Sequence, residues 1–215
     1  MSATRIDRVV TRGLVGAGRP GYPVDGVELE NNTWIVGDDE QALIIDASHD
    51  AEAIVAAVGE RDALGILLTH GHEDHVNAAL DAADQLDTHV YLHPADLFLW
   101  QQTHGDALPD FELADGATFL VAGVELAVAH TPGHTPGSVC FIAPALGTVF
   151  SGDTLFRGGP GATRWEYSSF EQIVESIRTR LFTLPATTVA RPGHGEVTSV
   201  AEEMPDLEAW LARGW

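Results

Sequence analysis

Gly65-Ile66-Leu67-Leu68-Thr69-His70-Gly71-His72-Glu73-Asp74-His75 joins a short apolar run to a cluster of imidazoles and carboxylates. Residues 66–68 have the continuous apolar character of a buried strand, and residues 78–86 carry Ala, Leu and Asp at helical spacing. The polar stretch therefore sits on a strand-to-helix turn. His70 and His72 stand two apart on its extended part and leave the same face. Asp74 and His75 open the helix, where unpaired N–H groups and the helix dipole favour a carboxylate. Gly71 lets the backbone bend between the histidines without a Cβ penalty. Four donors thus converge within six residues, a set that suits Zn, Fe or Mn better than Ca. Capping a helix requires no such number of imidazoles, so the turn reads as a metal site.

Outward from this turn, the chain repeats one device: a strand that ends in His or Asp. Residues 6–10 alternate like a strand. Gly13, Gly16, Gly18, Pro20, Gly21, Pro23 and Gly26 then crowd one stretch, which reads as a mobile loop with Tyr22 in reach of a pocket. Residues 32–36 and 42–46 form a hairpin ending in Asp46, and 51–58 form a helix closed by Gly59. Residues 89–92 are a strand, and Pro94, after His93, opens a helix through Trp100 and Gln101.

Residues 119–121 and 124–129 form a second hairpin, leading into His130-Thr131-Pro132-Gly133-His134-Thr135-Pro136-Gly137. The prolines and glycines fix the backbone around His134. Strands at 138–142 and 148–150 follow, the latter running into Ser151-Gly152-Asp153-Thr154. An amphipathic helix over 170–181, a strand over 187–190, the turn Arg191-Pro192-Gly193-His194-Gly195 and a helix over 205–211 complete the chain. No linker divides it, so the expectation is one domain over 1–215: two sheets face to face with helices outside.

The 11 basic residues are all Arg, against 32 acidic ones, for a formal net charge of -21. Such a surface repels phosphate backbones and anionic lipid, which argues against nucleic-acid or membrane partners. With no apolar segment of signal-peptide or membrane-span length, a cytoplasmic protein is expected. Cys140, the only cysteine, lies in an apolar run and reads as a buried, inert thiol.

With His70, His72, Asp74 and His75, then Thr-Pro-Gly-His134-Thr-Pro-Gly, Ser-Gly-Asp153-Thr-Leu-Phe and Pro-Gly-His194-Gly, the chain resembles the metallo-β-lactamase superfamily over nearly its whole length. Within it, the elements around Asp153 look like those of compact glyoxalase II-like thioester hydrolases. The resemblance implies an α+β fold, a four-layer αββα sandwich. It also implies two divalent metal ions, zinc foremost, with Fe or Mn as alternatives. His70, His72 and His134 would bind one, Asp74, His75 and His194 the other, and Asp153 both. Asp153 stands where the commonest subclass of true β-lactamases carries a cysteine, which argues against antibiotic hydrolysis.

The implied reaction is hydrolysis of a thioester of a low-molecular-weight thiol by a metal-bridging hydroxide, with Asp74 orienting it and taking its proton. The same ligand types would serve an iron persulfide dioxygenase, and a lactonase is a third reading. Arg157, Arg164, Trp165 and Tyr167, in the loop after Asp153, are candidate substrate contacts. Glutathione-specific members carry a basic C-terminal helical domain, whereas about twenty residues follow His194 here and none is Lys. The expected carrier is therefore a less anionic thiol, such as mycothiol. His49, His89, His93, His104 and His130 receive no ligand role, although His130 suits a place behind a ligand and His93 the start of its helix.

Overall fold

The computed structural model describes residues 3–18 and 23–214. Its first sheet contains β1 (Arg5–Val15), β2 (Val27–Gly37), β3 (Gln41–Ile45), β4 (Asp62–Leu67), β5 (Val90–Leu92) and β6 (Phe111–Glu112), side by side in that order. Helices α1 (Ala51–Val58), α2 (Glu73–Val76), α3 (Ala79–Leu86) and α4 (Leu97–His104) connect its later strands. The chain then enters β7 (Thr118–Val121), β8 (Val124–His130), β9 (Val139–Ala143) and β10 (Thr148–Gly152). A small hairpin follows, β11 (Leu155–Phe156) with β12 (Gly159–Pro160), then α5 (Phe170–Ser176), β13 (Val189–Pro192), β14 (Thr198–Ser199), α6 (Val200–Glu203) and α7 (Leu207–Arg213). The second sheet runs β14-β13-β10-β9-β8-β7.

Period-two alternation builds the layers. In β3, Ala42 and Ile44 face the helices of the first sheet, while Leu43 and Ile45 face the other sheet. In β9, Val139 and Phe141 meet the first sheet, and Cys140 turns outward to pack with Ile173, Ile177 and Trp210. Three apolar layers therefore separate four structural ones, the expected α+β sandwich. Trp34 and Phe150 touch across the middle layer at 6.3 Å between ring centroids. Truncating a buried side chain such as Phe150 to Ala is expected to cost about 3–5 kcal/mol.

Local chemistry sets several boundaries. Asp50 caps α1 by accepting from the Ala53 N–H, and Gly59 ends the helix at φ 66°. His93 accepts from the Ala95 N–H at the start of the turn before α4, as its place before Pro94 suggests. The glycine-rich stretch departs from expectation: β1 continues to Val15, with Gly13 paired opposite Leu29. Cross-strand hydrogen bonds override the glycine content there, and Tyr22 lies outside the described residues. The helix over 170–181 holds α-geometry to Ser176 and finishes as a π-turn over Ile177–Leu181. Among the described residues, no helix is long and apolar enough to cross a membrane.

Candidate metal centre

Five strand ends meet at one rim of the sandwich. Asp46 follows β3, the His70 turn follows β4, His134 follows β8, Asp153 follows β10, and His194 follows β13. The sequence expects seven donors, and the structure brings all seven together. Their atoms form three overlapping groups within 4.8 Å: His70, His72 and His134; His70, His75 and Asp153; and Asp74, His75 and His194.

Each histidine has one nitrogen tied outward and one turned inward. Outward, His75 Nδ1 meets Asp46 Oδ2 at 2.9 Å, and His194 Nδ1 meets the Glu30 carbonyl at 2.7 Å. His134 Nδ1 meets the Ala162 carbonyl at 2.8 Å, His72 Nε2 the Tyr167 hydroxyl at 2.8 Å, and His70 Nδ1 the Thr69 hydroxyl at 3.1 Å. Outer partners of this kind fix the tautomer and free the inner lone pair for a metal.

Inward, His72 Nδ1 lies 3.1 Å from His70 Nε2 and 2.9 Å from His134 Nε2. In the second group, Asp74 Oδ2, His75 Nε2 and His194 Nε2 are separated by 3.1, 3.3 and 3.5 Å. Tetrahedral ligands at about 2.1 Å from an ion stand roughly 3.4 Å apart, so the second triangle has a cation's dimensions, and the two short edges of the first are somewhat tighter. Asp153 joins them: Oδ2 is 3.5 Å from His134 Nε2 and 3.6 Å from His194 Nε2, and Oδ1 is 3.4 Å from His75 Nε2. Asp153 Oδ1 is buried with no hydrogen-bond partner. A buried carboxylate oxygen of that kind calls for a cation.

The electrostatics agree. Burial, reinforced by neighbouring imidazoles, pushes His72 down to about 3, His134 to about 4 and His70 well below the usual range, so all three are neutral donors. Burial also opposes charge on His75, but Asp153, Asp74 and Asp46 outweigh it and lift this group to about 10. His194 is raised for the same reason, against its burial. Asp74 is held well below the carboxylate range, His75 and His194 overcoming its desolvation. The field around His75 asks for positive charge, which a divalent ion would answer.

Several supports were not identified as such from the sequence, although Asp46 was visible as a strand end. Asp46 accepts from the Thr69 N–H and hydroxyl at 2.7 and 2.9 Å while bracing His75. Buried Asp96 accepts from Gly71 N–H, Gly137 N–H and the Thr135 hydroxyl, linking the His70 and His134 turns. This explains Gly71 differently from the sequence reading: a Cβ there would lie 2.8 Å from the Asp96 carbonyl oxygen, so space decides, not backbone bending. His130 touches no ligand side chain. It bonds the Pro136 carbonyl and stacks on His93.

A cavity of about 440 Å³ opens above the donors, with Val27 to Glu30 as one wall and Phe156, Arg164 and Trp165 as the other. Of the expected substrate contacts, Arg164 and Trp165 line it, the guanidinium 4.9 Å over the indole ring. Arg157 instead donates to the Val197 carbonyl. Tyr167 sits behind His72, stacked parallel to Trp165.

A family profile described as the metallo-beta-lactamase superfamily matches residues 26–204. The hydroxyacylglutathione hydrolase GloC of Haemophilus influenzae is 32% identical over 81% of this chain and 90% of its own. The crystal structure of TTHA1623 in a di-iron-bound form is 35% identical, with TM-score 0.71 over 82% of this chain and 93% of that one. The BLEG-1 B3 metallo-beta-lactamase is 28% identical, with TM-score 0.74 over 92% of this chain and 97% of that one. With its family match, its four layers and its convergent donors, the chain belongs to the metallo-beta-lactamase superfamily.

Proposed function

We propose that residues 1–215 act as one metallo-β-lactamase-fold domain that hydrolyses thioesters of a low-molecular-weight thiol at a two-ion centre. The observation that carries this reading is the double triangle of inward-facing donors sharing Asp153, whose buried Oδ1 has no hydrogen-bond partner. His70, His72 and His134 would hold one ion and Asp74, His75 and His194 the second, with Asp153 available to both. The likeness to GloC supports the ester of a small thiol as substrate.

When bound, two divalent ions supply an acidified water near neutral pH and polarise a carbonyl. The chain's own groups do the rest. Asp74, ionised in its cationic surroundings, orients the attacking water and accepts its proton. A thiol leaves with a pKa of about 8.5, so a strong general acid is not required. Leu29 and Phe156 give the acyl group apolar surface, and Arg164 on Trp165 offers the carrier hydrogen bonds and a flat ring to stack on. Cys140 takes no part: it lies in the core with its thiol pushed up to about 11 by burial.

His70, His134 and Asp153 alone would make a two-His, one-carboxylate site, which supports one second reading, an iron persulfide dioxygenase with one Fe per chain. A thioester panel on metal-replete enzyme, run with and without O₂, separates the two. Hydrolysis is expected at equal rates in both atmospheres, and strict O₂ dependence would replace it with the oxygenase. The same panel tests the carrier: mycothiol-type thioesters are expected to exceed S-lactoylglutathione in kcat/KM, and the reverse order assigns glutathione.

A further inference from the structure

His49 is a non-glycine residue at φ 61°, a region that L side chains rarely adopt. Its ring packs over β1, where a Cβ on Gly13 would fall 2.6 Å from His49 Cγ. Backbone outliers of this kind gather where a site requires a particular geometry. The hydrogen bonds around the ring show what the geometry delivers.

The chain of donors begins at a group that can only donate. The His49 backbone N–H bonds Asn77 Oδ1 at 2.6 Å, which turns the Asn77 NH₂ toward His49 Nδ1, 3.0 Å away. Nδ1 therefore accepts, and burial keeps the ring neutral by lowering its proton affinity. The one ring proton sits on Nε2 and is donated to Asn31 Oδ1 at 2.9 Å. Asn31, buried on β2, then presents its NH₂ to Asp74 Oδ2 at 3.0 Å. The same nitrogen stands 3.4 Å from both His75 Nε2 and His194 Nε2, over the face of the second donor triangle.

We infer that His49 and Asn31 are positioning residues of the second metal position: a backbone amide, read through Asn77 and His49, aims the Asn31 N–H at Asp74. This rests on the two-ion reading above. It fixes the Asp74 carboxylate in the triangle and excludes the opposite amide orientation, in which the Asn31 oxygen would be a fourth ligand.

The test is zinc titration into metal-free enzyme, with metal-free melting and steady-state kinetics alongside. His49→Gly suits φ 61° without a side-chain penalty. It is expected to keep the wild-type metal-free melting point, yet lose about 10–100-fold in affinity for the second zinc and in kcat. The first zinc and KM are expected to hold. Asn31→Leu, which removes the donor without adding charge, is expected to weaken the second zinc as well; it carries the test alone should His49→Gly not fold. Wild-type uptake of the second zinc by either variant overturns the inference. If wild-type enzyme takes up only one zinc, the two-ion reading fails instead.

Discussion

His70, His72 and His134 make an all-imidazole cluster, whereas Asp74, His75 and His194 make a mixed one that reaches solvent. The side chain of His194 is 25% exposed and that of His134 2%. In the first cluster, burial keeps three imidazoles neutral, and outward partners on two segments hold them, Thr69 beside His70 and the loop after β12 with Ala162 and Tyr167. In the second, carboxylates gather positive charge onto His75 and His194. The difference teaches that, on the proposed two-ion reading, one position would be made by desolvation and the other by charge. Changes to local charge should strike the second first.

Removing the group common to both has the largest expected effect. Asp153→Ala is expected to lose both ions and reduce turnover to background with an unchanged far-UV spectrum, because Val149 and Phe150 keep β10 in its two apolar layers. Wild-type-like hydrolysis by that variant would sink the mechanism. A smaller loss, weighted toward the second ion, is expected from Asp46→Asn, which alters the brace that touches His75 directly and reaches His70 only through Thr69. Affinity for the second ion should fall about 10–100-fold, and an equal loss at both positions would erase the distinction between the clusters.

Acid and alkali should separate the clusters in metal-free protein. His72 and His134, at about 3 and about 4, bind protons less readily folded than unfolded. An unfolded imidazole titrates near 6.5, so stability falls as pH drops from about 6.5 toward 4. His75, held at about 10, runs the other way: its contribution is complete below about 6.5 and disappears as pH rises toward 10. Melting temperatures across this range should peak near neutrality. Substituting His72 by Ala should flatten the acid limb alone, and a flattened alkaline limb in that variant would contradict the assignment. The smallest effect is expected at the cavity wall, where Arg164→Ala should raise KM for anionic thioesters roughly three- to tenfold, as for a partly exposed charge contact of about 1 kcal/mol.

The four donors of the His70 turn were legible from their spacing after an apolar run, and His134 from the Gly and Pro that bracket it, while Asp153 and His194 gained a ligand role only through the resemblance to the superfamily. The supports were not legible. Asn31, His49 and Asp96 acquire their roles through contacts that join the centre to distant segments, and nothing beside them in the chain marks that meeting. Asp46 sits between these cases, visible as a strand end but reaching His75 only because β3 and β4 run parallel and finish level, Ile45 opposite Leu67. The two-residue strands β6, β11, β12 and β14 are too short to show alternation. Gly13 was read as loop because glycine content ignores the partner strand that β2 supplies. Arg157 and Tyr167 were correctly placed near the centre in sequence, yet their side chains are engaged by the Val197 carbonyl and by His72.

Metal content per chain tests the central claim most directly. Elemental analysis of protein reconstituted with zinc and freed of excess ion is predicted to return two ions per chain. One ion or fewer would contradict the double triangle and, with it, the shared role given to Asp153.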